Sequence, residues 1–160
     1  MRLPEFTFVL LFSSIISQKV AGANSVPIPA GYSVSMKYDM TTQEAVFELE
    51  LVDGTWLGLA LGASTMTKGT DMIMCKAKAG VGECRDMISA GLKMPGTDAT
   101  NNLKTTFGVK KGASKATSTI QIRRLIDTRD SNDYVIPLDT KFPMAWAINS
   151  SSSDFTKMHN

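Results

Sequence analysis

The sequence predicts an all-β protein of one domain, in which about eight or nine short antiparallel strands form a β-sandwich or a barrel. Strand signals recur along the chain with turn residues between them, and no long segment beyond the N-terminus has the 3.6-residue periodicity of a helix. The chain has 160 residues, which is room for one domain rather than two. A domain of this size buries about 70% of the surface of its unfolded chain, so a proper core is expected.

The strand signals predict different degrees of burial. Residues 47–51 alternate between apolar and acidic side chains, which is typical of a strand with one buried face. Residues 56–61 are almost entirely apolar, as in a central strand, and Asp53-Gly54 predicts a tight turn before them. A short helix is expected only near Leu125–Asp130. The predicted strands in chain order are Tyr32–Tyr38, Val46–Leu51, Trp56–Leu61, Met72–Cys75, Met87–Ala90, Leu103–Val109, Ala116–Leu125, Tyr134–Leu138 and Phe142–Ile148.

Residues 1–23 predict a secretory signal peptide. Arg2 provides a positive start, residues 6–16 are mostly apolar, and Ala21-Gly22-Ala23 offers the small residues that a signal peptidase recognises. The apolar run of about eleven residues is shorter than the roughly 20 that a membrane-spanning helix needs. We therefore expect a mature domain of residues 24–160, either secreted or held at the outer face of the plasma membrane through a partner.

The two cysteines, Cys75 and Cys84, predict a disulfide, because a secreted chain meets an oxidising environment. Gly80 and Gly82 between them suit a hairpin turn. The pair lacks the C-x-x-C spacing of a redox dithiol, and without accompanying histidines it makes a poor zinc site. Asn149 opens a glycosylation sequon that ends at Ser151.

The composition excludes several functional classes. A formal net charge of +2 does not support nucleic-acid binding. His159 is the one histidine, so a hydrolase would have to place its base next to the last residue. The sequence contains no Walker loop and no dinucleotide fingerprint. We therefore expect a domain that is not an enzyme.

Two charged clusters allow more than one interpretation. The carboxylates Asp127, Asp130 and Asp133 suggest a calcium-binding loop, but they lack the spacing of an EF-hand and aspartate commonly stabilises turns. A late basic region is either the solvated face of strands or a docking patch for anionic groups. This region consists of Lys104, Lys110, Lys111, Lys115, Arg123 and Arg124.

Three segments, taken in order, resemble the DOMON family. The first is Trp56-Leu57-Gly58-Leu59-Ala60-Leu61-Gly62, followed by Met66 and by Gly69-Thr70-Asp71-Met72-Ile73. The second is Arg123-Arg124-Leu125-Ile126-Asp127-Thr128-Arg129-Asp130, which continues through Asp133-Tyr134-Val135-Ile136. The third is Met144-Ala145-Trp146-Ala147-Ile148. Their order and spacing fit the family across most of residues 32–159.

The resemblance implies an antiparallel immunoglobulin-like β-sandwich of about 8–10 strands, with a ligand pocket at one end. One branch of the family binds b-type haem, as in the cytochrome domain of cellobiose dehydrogenase, through a loop methionine and a late histidine. Met66 and His159 fall at the matching positions. Met66 stands among polar loop residues, whereas we assign four other methionines to core filling. These four are Met72, Met74, Met87 and Met144.

With Met66 and His159 as axial ligands, no open position remains on the iron, and the resemblance then implies one-electron transfer. The implied cofactor is haem b, and the implied partner is a redox protein such as a membrane cytochrome. Trp56 and Trp146 are candidate pocket walls, and Arg123 or Arg124 or a nearby lysine is a candidate partner for the haem propionates.

The sequence departs from the family pattern at several positions. Four residues separate Met66 from Asp71, which makes the loop longer than usual. Arg129 replaces a glycine, Ile126-Asp127 resembles a one-residue insertion, and the chain ends one residue after His159. The alternative function is a haem-free extracellular module that binds a sugar or a partner protein. A third hypothesis is an extracellular copper site that uses Met158 and His159 with other methionines.

Overall fold

Ten antiparallel strands and no helix make up the part of the chain that the computed structural model describes, namely residues 17–18, 28–79, 81–91, 93–111, 116–138 and 140–157. The strands are β1 (Ser17–Gln18), β2 (Ser33–Asp39), β3 (Glu44–Val52), β4 (Thr55–Leu61), β5 (Asp71–Lys78), β6 (Val81–Ile88), β7 (Gly96–Thr97), β8 (Lys104–Lys111), β9 (Ala116–Leu125) and β10 (Met144–Asn149). Within these residues, no helix is long and apolar enough to cross a membrane.

The strands form two five-stranded sheets. The first sheet has the order β1-β2-β3-β9-β8, and the second has the order β10-β4-β5-β6-β7. Every pairing is antiparallel. In β5 and β6 the register sets Cys75 opposite Cys84, and a disulfide joins them.

A continuous core lies between the two sheets, and alternation along each strand explains its composition. In β3 the apolar residues of the 47–51 segment face inward, while Glu48 and Glu50 face solvent, as the sequence predicts. Leu57, Leu59 and Leu61 of β4 meet them from the second sheet. This packing confirms the predicted antiparallel β-sandwich.

The outer face of the second sheet carries a second apolar cluster. Its buried members are Trp56, Ala60, Met72, Met74, Met87 and Phe155. Because β4 and β5 contribute alternate residues to this cluster and to the core, β4 is buried along its whole length. The continuous apolar run at residues 56–61 therefore reflects two apolar environments, one on each face of the strand.

Two local predictions are wrong. Leu125 ends β9 and residues 126–130 form an irregular loop rather than a helix, because the N–H groups of Arg129 and Asp130 bond to the side chains of Asp127 and Thr128. Residues 134–138 are irregular rather than a strand. The N–H of Tyr134 donates to Asp71 and that of Ile136 to the carbonyl of Ile126, so these groups are engaged outside any sheet.

Candidate functional site

An apolar cavity of about 420 Å³ lies on the outer face of the second sheet. This volume falls within the range of about 300–1,000 Å³ that is usual for cofactor and ligand sites. We call it the Met66 cavity, and its lining residues are Trp56, Gly58, Met66, Met72, Met74, Lys93, Met94, Pro95, Ala147, Phe155, Thr156 and Lys157. Thioether, aromatic and alkyl groups dominate this surface, so it suits an apolar ligand.

Gly58 leaves space in the wall of the cavity. It lies in the middle of β4 on the outer face, between Trp56 and Ala60. A Cβ atom built on Gly58 would come within 3.6 Å of Met74 and 3.7 Å of Trp56, which are ordinary contact distances. A methyl group therefore fits at this position, whereas a longer side chain would extend beyond the Cβ into the space between these residues.

The loop between β4 and β5 brings Met66 to the cavity, where it packs against the outer apolar cluster. The hydroxyl groups of Thr67 and Thr70 lie 2.9 Å apart, and the N–H of Thr70 donates to the carbonyl of Thr67. Gly69 and Thr70 also bond to Ser89, on the segment that follows β6, at 2.8 Å each. The four residues between Met66 and Asp71 thus form a fixed turn.

The segment after β10 forms another side of the cavity. Phe155 is buried against the outer cluster, with Lys76 Nζ 5.0 Å and Arg85 Cζ 5.2 Å from the centre of its ring. Asp154 accepts hydrogen bonds from the N–H and the hydroxyl of Thr156. Thr156 and Lys157 then border the cavity. Met158 and His159 follow directly but lie outside the described residues.

Two polar features of the cavity match a ligand that carries carboxylates. The indole N–H of Trp56 is buried and has no hydrogen-bond partner among the described residues. Lys93 and Lys157 are exposed and border the opening. A haem propionate could accept from such donors, and the sulfur of Met66 is a soft ligand of the kind that haem iron takes. These residues therefore fit haem.

Three residues that the sequence suggested for the haem pocket lie elsewhere. Trp146 faces inward and packs against the core between the sheets. Arg123 binds Asp39 and Glu44 at 3.0 and 2.9 Å. Arg124 is buried and binds Asp71 at 2.6 Å. None of the three lines the Met66 cavity, so the structure does not bring them together with Met66, and their assignment to a haem pocket stays a prediction.

The remaining predicted residues are placed as follows. Lys104 binds Glu44 at 2.8 Å, and the side chains of Lys110, Lys111 and Lys115 lie outside the described part of the chain. Asn149 is 3% exposed, and its Oδ1 atom accepts two bonds from Ser151 at 2.9 Å. This burial leaves little room for a glycan, and glycosylation at Asn149 stays a prediction.

The sequence did not identify Phe155 or the Lys93–Pro95 segment as part of the site. Phe155 is an isolated aromatic residue within a polar tail. This pattern indicates that Phe155 anchors the tail to the domain, but it does not indicate which surface the tail contacts. Lys93 and Met94 lie in an irregular segment between β6 and β7 that carries no strand pattern. Only the folded arrangement brings these segments to Met66.

A second concavity, of about 510 Å³, is lined by Met40, Gln43, Leu138 and residues 125–129. Leu125 and Leu138 are exposed there, at 44% and 39%. None of its lining residues is a candidate iron ligand from the sequence. The Met66 cavity is therefore the stronger candidate, although it is the smaller of the two.

Comparison with known proteins identifies the family and supports the fold. The DOMON domain model matches residues 30–149. The cytochrome domain of cellobiose dehydrogenase from Myriococcum thermophilum superposes with a TM-score of 0.54 at 10% identity, covering 86% of this chain and 69% of that one. The cytochrome b domain of pyranose dehydrogenase from Coprinopsis cinerea gives 0.54 at 11% identity, with coverages of 79% and 72%. At such identities the likeness shows the fold alone. A comparison with curated proteins gives no significant match.

Proposed function

Because the chain belongs to the DOMON family, we propose that it binds one b-type haem in the Met66 cavity and serves in one-electron transfer. The observation that carries this proposal is the meeting of Met66 and the segment leading to His159 at one apolar cavity. The matches indicate no catalytic family, in agreement with the expectation of a non-enzymatic domain. Both of the solved structures named above are cytochrome domains.

Each part of the cavity has a proposed role. Met66 would supply a thioether ligand from its hydrogen-bonded loop, and His159 would supply an imidazole ligand from the tail that Phe155 anchors. Trp56, Met72 and Met74 exclude water from the flat faces of the ligand. Lys93 and Lys157 neutralise the propionates at the opening, where their charge stays hydrated.

When bound, haem supplies a one-electron Fe(III)/Fe(II) change, and the residues around it set its reduction potential through burial and axial ligation. With both Met66 and His159 bound to it, the iron would have no free position for oxygen or substrate. An apolar cavity also favours the reduced Fe(II) state, because it offers few polar groups to stabilise the additional positive charge of Fe(III). We therefore propose electron relay rather than oxygen chemistry.

The chain's predicted signal peptide places this relay outside the cytoplasm. Under this proposal, residues 1–23 are removed together with β1, which leaves β2 at that edge of the first sheet. Residues 24–160 then act as a secreted domain or at the outer face of the plasma membrane. The partner would be a redox protein, such as a membrane cytochrome, that approaches the opening near Lys93 and Lys157.

The alternative of a sugar-binding module has less support from the site. Sugar recognition needs several hydrogen-bonding side chains, whereas thioether, aromatic and alkyl groups form most of the Met66 cavity. The copper hypothesis depends on Met158 and His159, both outside the described residues, and Met66 as a soft ligand would also suit copper.

Reconstitution with haem tests the proposal. We expect the purified protein to take up one haem per chain and to give a six-coordinate low-spin absorption spectrum. Met66→Ala and His159→Ala should each lose that spectrum, because each removes one axial ligand. Met40→Ala is the matched control, since Met40 is 52% exposed and lines the other concavity.

Unchanged spectra in both ligand variants, or no uptake of haem by the wild type, would contradict the proposal. Metal analysis of the purified protein separates iron from copper. A titration with glucose, cellobiose and xylose in the absence of haem would reveal saturable sugar binding if the alternative were correct.

A further inference from the structure

Three buried carboxylates converge at one end of the sandwich, and those of β5 and β6 lie on the inner face of the second sheet, opposite the face that carries the Met66 cavity. Asp71 opens β5, Asp86 lies in β6 and Asp133 lies in the loop after β9. Each contributes a carboxylate oxygen within 4.8 Å of the others. Asp71 is 3% exposed, Asp86 2% and Asp133 9%. The register of β5 and β6 explains why Asp71 and Asp86 are close. Asp71 lies on the same face of β5 as Ile73, and Ile73 pairs with Asp86 of β6, so both carboxylates face inward.

The cluster has more negative than positive charge. Arg124 crosses from the first sheet and donates to Asp71 at 2.6 Å, while its distance to Asp133 is 3.9 Å. One guanidinium therefore faces three carboxylates. Buried charges of one sign are costly without a counter-charge. In keeping with this cost, burial raises the pKa of Asp86 to about 6. The hydrogen bond that Asp86 accepts from the N–H of Asn102 offsets only part of that rise.

Protein donors hold only one oxygen of each carboxylate. Oδ2 of Asp71 accepts from Arg124 and from the N–H of Tyr134. The backbone and side chain of Asn102 donate to Oδ2 of Asp86 and Oδ2 of Asp133, at 3.0 and 2.9 Å. The Oδ1 atom of each of the three aspartates is buried and has no hydrogen-bond partner in the described structure. Each carboxylate of the cluster thus keeps one buried acceptor that no hydrogen bond satisfies.

A polar cleft of about 350 Å³ reaches this cluster from solvent. Asp71 and Asp133 line it, whereas Asp86 does not, and the other polar lining residues are Thr67, Lys68, Thr70, Ser131, Asn132 and Tyr134. The cleft provides an entry route and space for water molecules, which complete the coordination of hard cations in many proteins. It also borders the loop that carries Met66.

We propose that Asp71, Asp86 and Asp133 bind one divalent cation, and that calcium is the ion that they fit. Calcium takes six to eight oxygen ligands at about 2.3–2.6 Å, so two of its ligand oxygens lie at most about 5 Å apart. The spacing within the cluster meets that limit. A doubly charged ion also balances the two negative charges that Arg124 leaves. This site is independent of the haem proposal.

Thermal unfolding of the secreted protein, without added haem, tests the site. After treatment with EDTA and dialysis, addition of calcium chloride at 100-fold its Kd should raise the Tm by roughly 5–10 °C. Calorimetric titration should give one ion per chain. Magnesium at the same concentration should give a smaller shift, because it needs stricter octahedral geometry.

Asp86→Asn and Asp133→Asn make the test specific. Without calcium, Asp86→Asn should be at least as stable as the wild type, since it removes a buried negative charge and keeps the shape of the side chain. With calcium, the wild type should be more stable than Asp86→Asn, because the variant loses the calcium-dependent rise in Tm. Asp53→Asn, in the turn at the opposite end of the second sheet, is the control and should keep the full shift.

Equal calcium shifts in the wild type and Asp86→Asn, or no shift in either, would overturn the proposal. The same holds if calorimetry finds no stoichiometric binding, in which case a proton shared by the carboxylates explains the cluster. Because haem is absent from these measurements, their outcome does not depend on whether Met66 and His159 bind iron.

Discussion

Arg129 lies in the left-handed region of backbone conformation, with a φ angle of 60°. Side chains with a Cβ atom are disfavoured there, whereas glycine is not. The turn is held by bonds from the N–H groups of Arg129 and Asp130 to Asp127 and Thr128, at 2.9 and 3.2 Å. The resemblance to DOMON sequences suggested glycine at this position, and the structure gives a physical reason for that preference.

We predict that Arg129→Gly raises the free energy of unfolding by about 0.5–1 kcal/mol, because relief of the left-handed conformation exceeds the entropy that glycine adds to the unfolded chain. Urea denaturation with an unchanged slope would measure it. Arg129→Ala keeps the Cβ atom and should give no such gain. An equal gain in the alanine variant would mean that loss of the arginine side chain, not the backbone, is responsible.

At the scale of single strands, the first sheet shows how an outer face is stabilised by charge. Glu44 is 6% exposed at its side chain and binds Lys104 on β8 and Arg123 on β9, at 2.8 and 2.9 Å. The hydrogen bonds from Lys104 and then from Arg123 lower the pKa of Glu44 below its ordinary value. One carboxylate thus ties together three adjacent strands.

A lowered carboxyl pKa in the folded state implies stability that is present above the unfolded-state pKa, about 4.3, and is lost as the pH falls through the folded-state pKa. We therefore predict that Glu44→Gln costs about 1 kcal/mol at pH 7 and that this cost shrinks below about pH 4. Chemical denaturation of both proteins across pH 3–7 measures the difference. Repeating the series in 1 M NaCl should reduce the difference in stability between Glu44→Gln and the wild type. A difference that depends on neither pH nor salt would contradict the ionic explanation.

The strands were predictable to the extent that their own residues determine burial. β3 alternates and β4 is uniformly apolar, so both could be placed from the sequence. The Gly96–Thr97 strand could not, because two residues carry no periodicity and pair only with Met87 and Ile88 of β6. Residues 134–138 have a strand-like composition, yet the side chain of Asp71 takes the N–H of Tyr134.

At the scale of the whole molecule, two apolar layers have separate tasks. The core between the sheets includes the inward residues of β3, β4 and β9 and specifies the sandwich. The outer cluster lies on the opposite face of the second sheet and forms the Met66 cavity. The sequence suggested Met66 and Trp56 for the cavity, but it could not tell Trp56 from Trp146, because only the register of β4 and β10 decides which tryptophan faces outward.

Because the two apolar layers are separate, a larger side chain can fill the Met66 cavity without disturbing the core between the sheets. Gly58, in the wall of the cavity, is the position for such a substitution. Gly58→Leu should lower the affinity for haem at least about tenfold, because its side chain would occupy the space beside Trp56 and Met74. Gly58→Ala should bind haem nearly as the wild type does, since its methyl group makes only ordinary contacts. Haem titration followed by absorbance measures both affinities.

The unfolding temperature of the haem-free proteins is the control for this experiment. We expect it to change by only a few degrees in either variant, because the inward residues Leu57 and Leu59 keep their packing on the other face of β4. Full haem uptake by a folded Gly58→Leu variant would place the ligand outside the Met66 cavity. Loss of uptake in the leucine variant alone would instead locate haem against β4, on the face opposite the core.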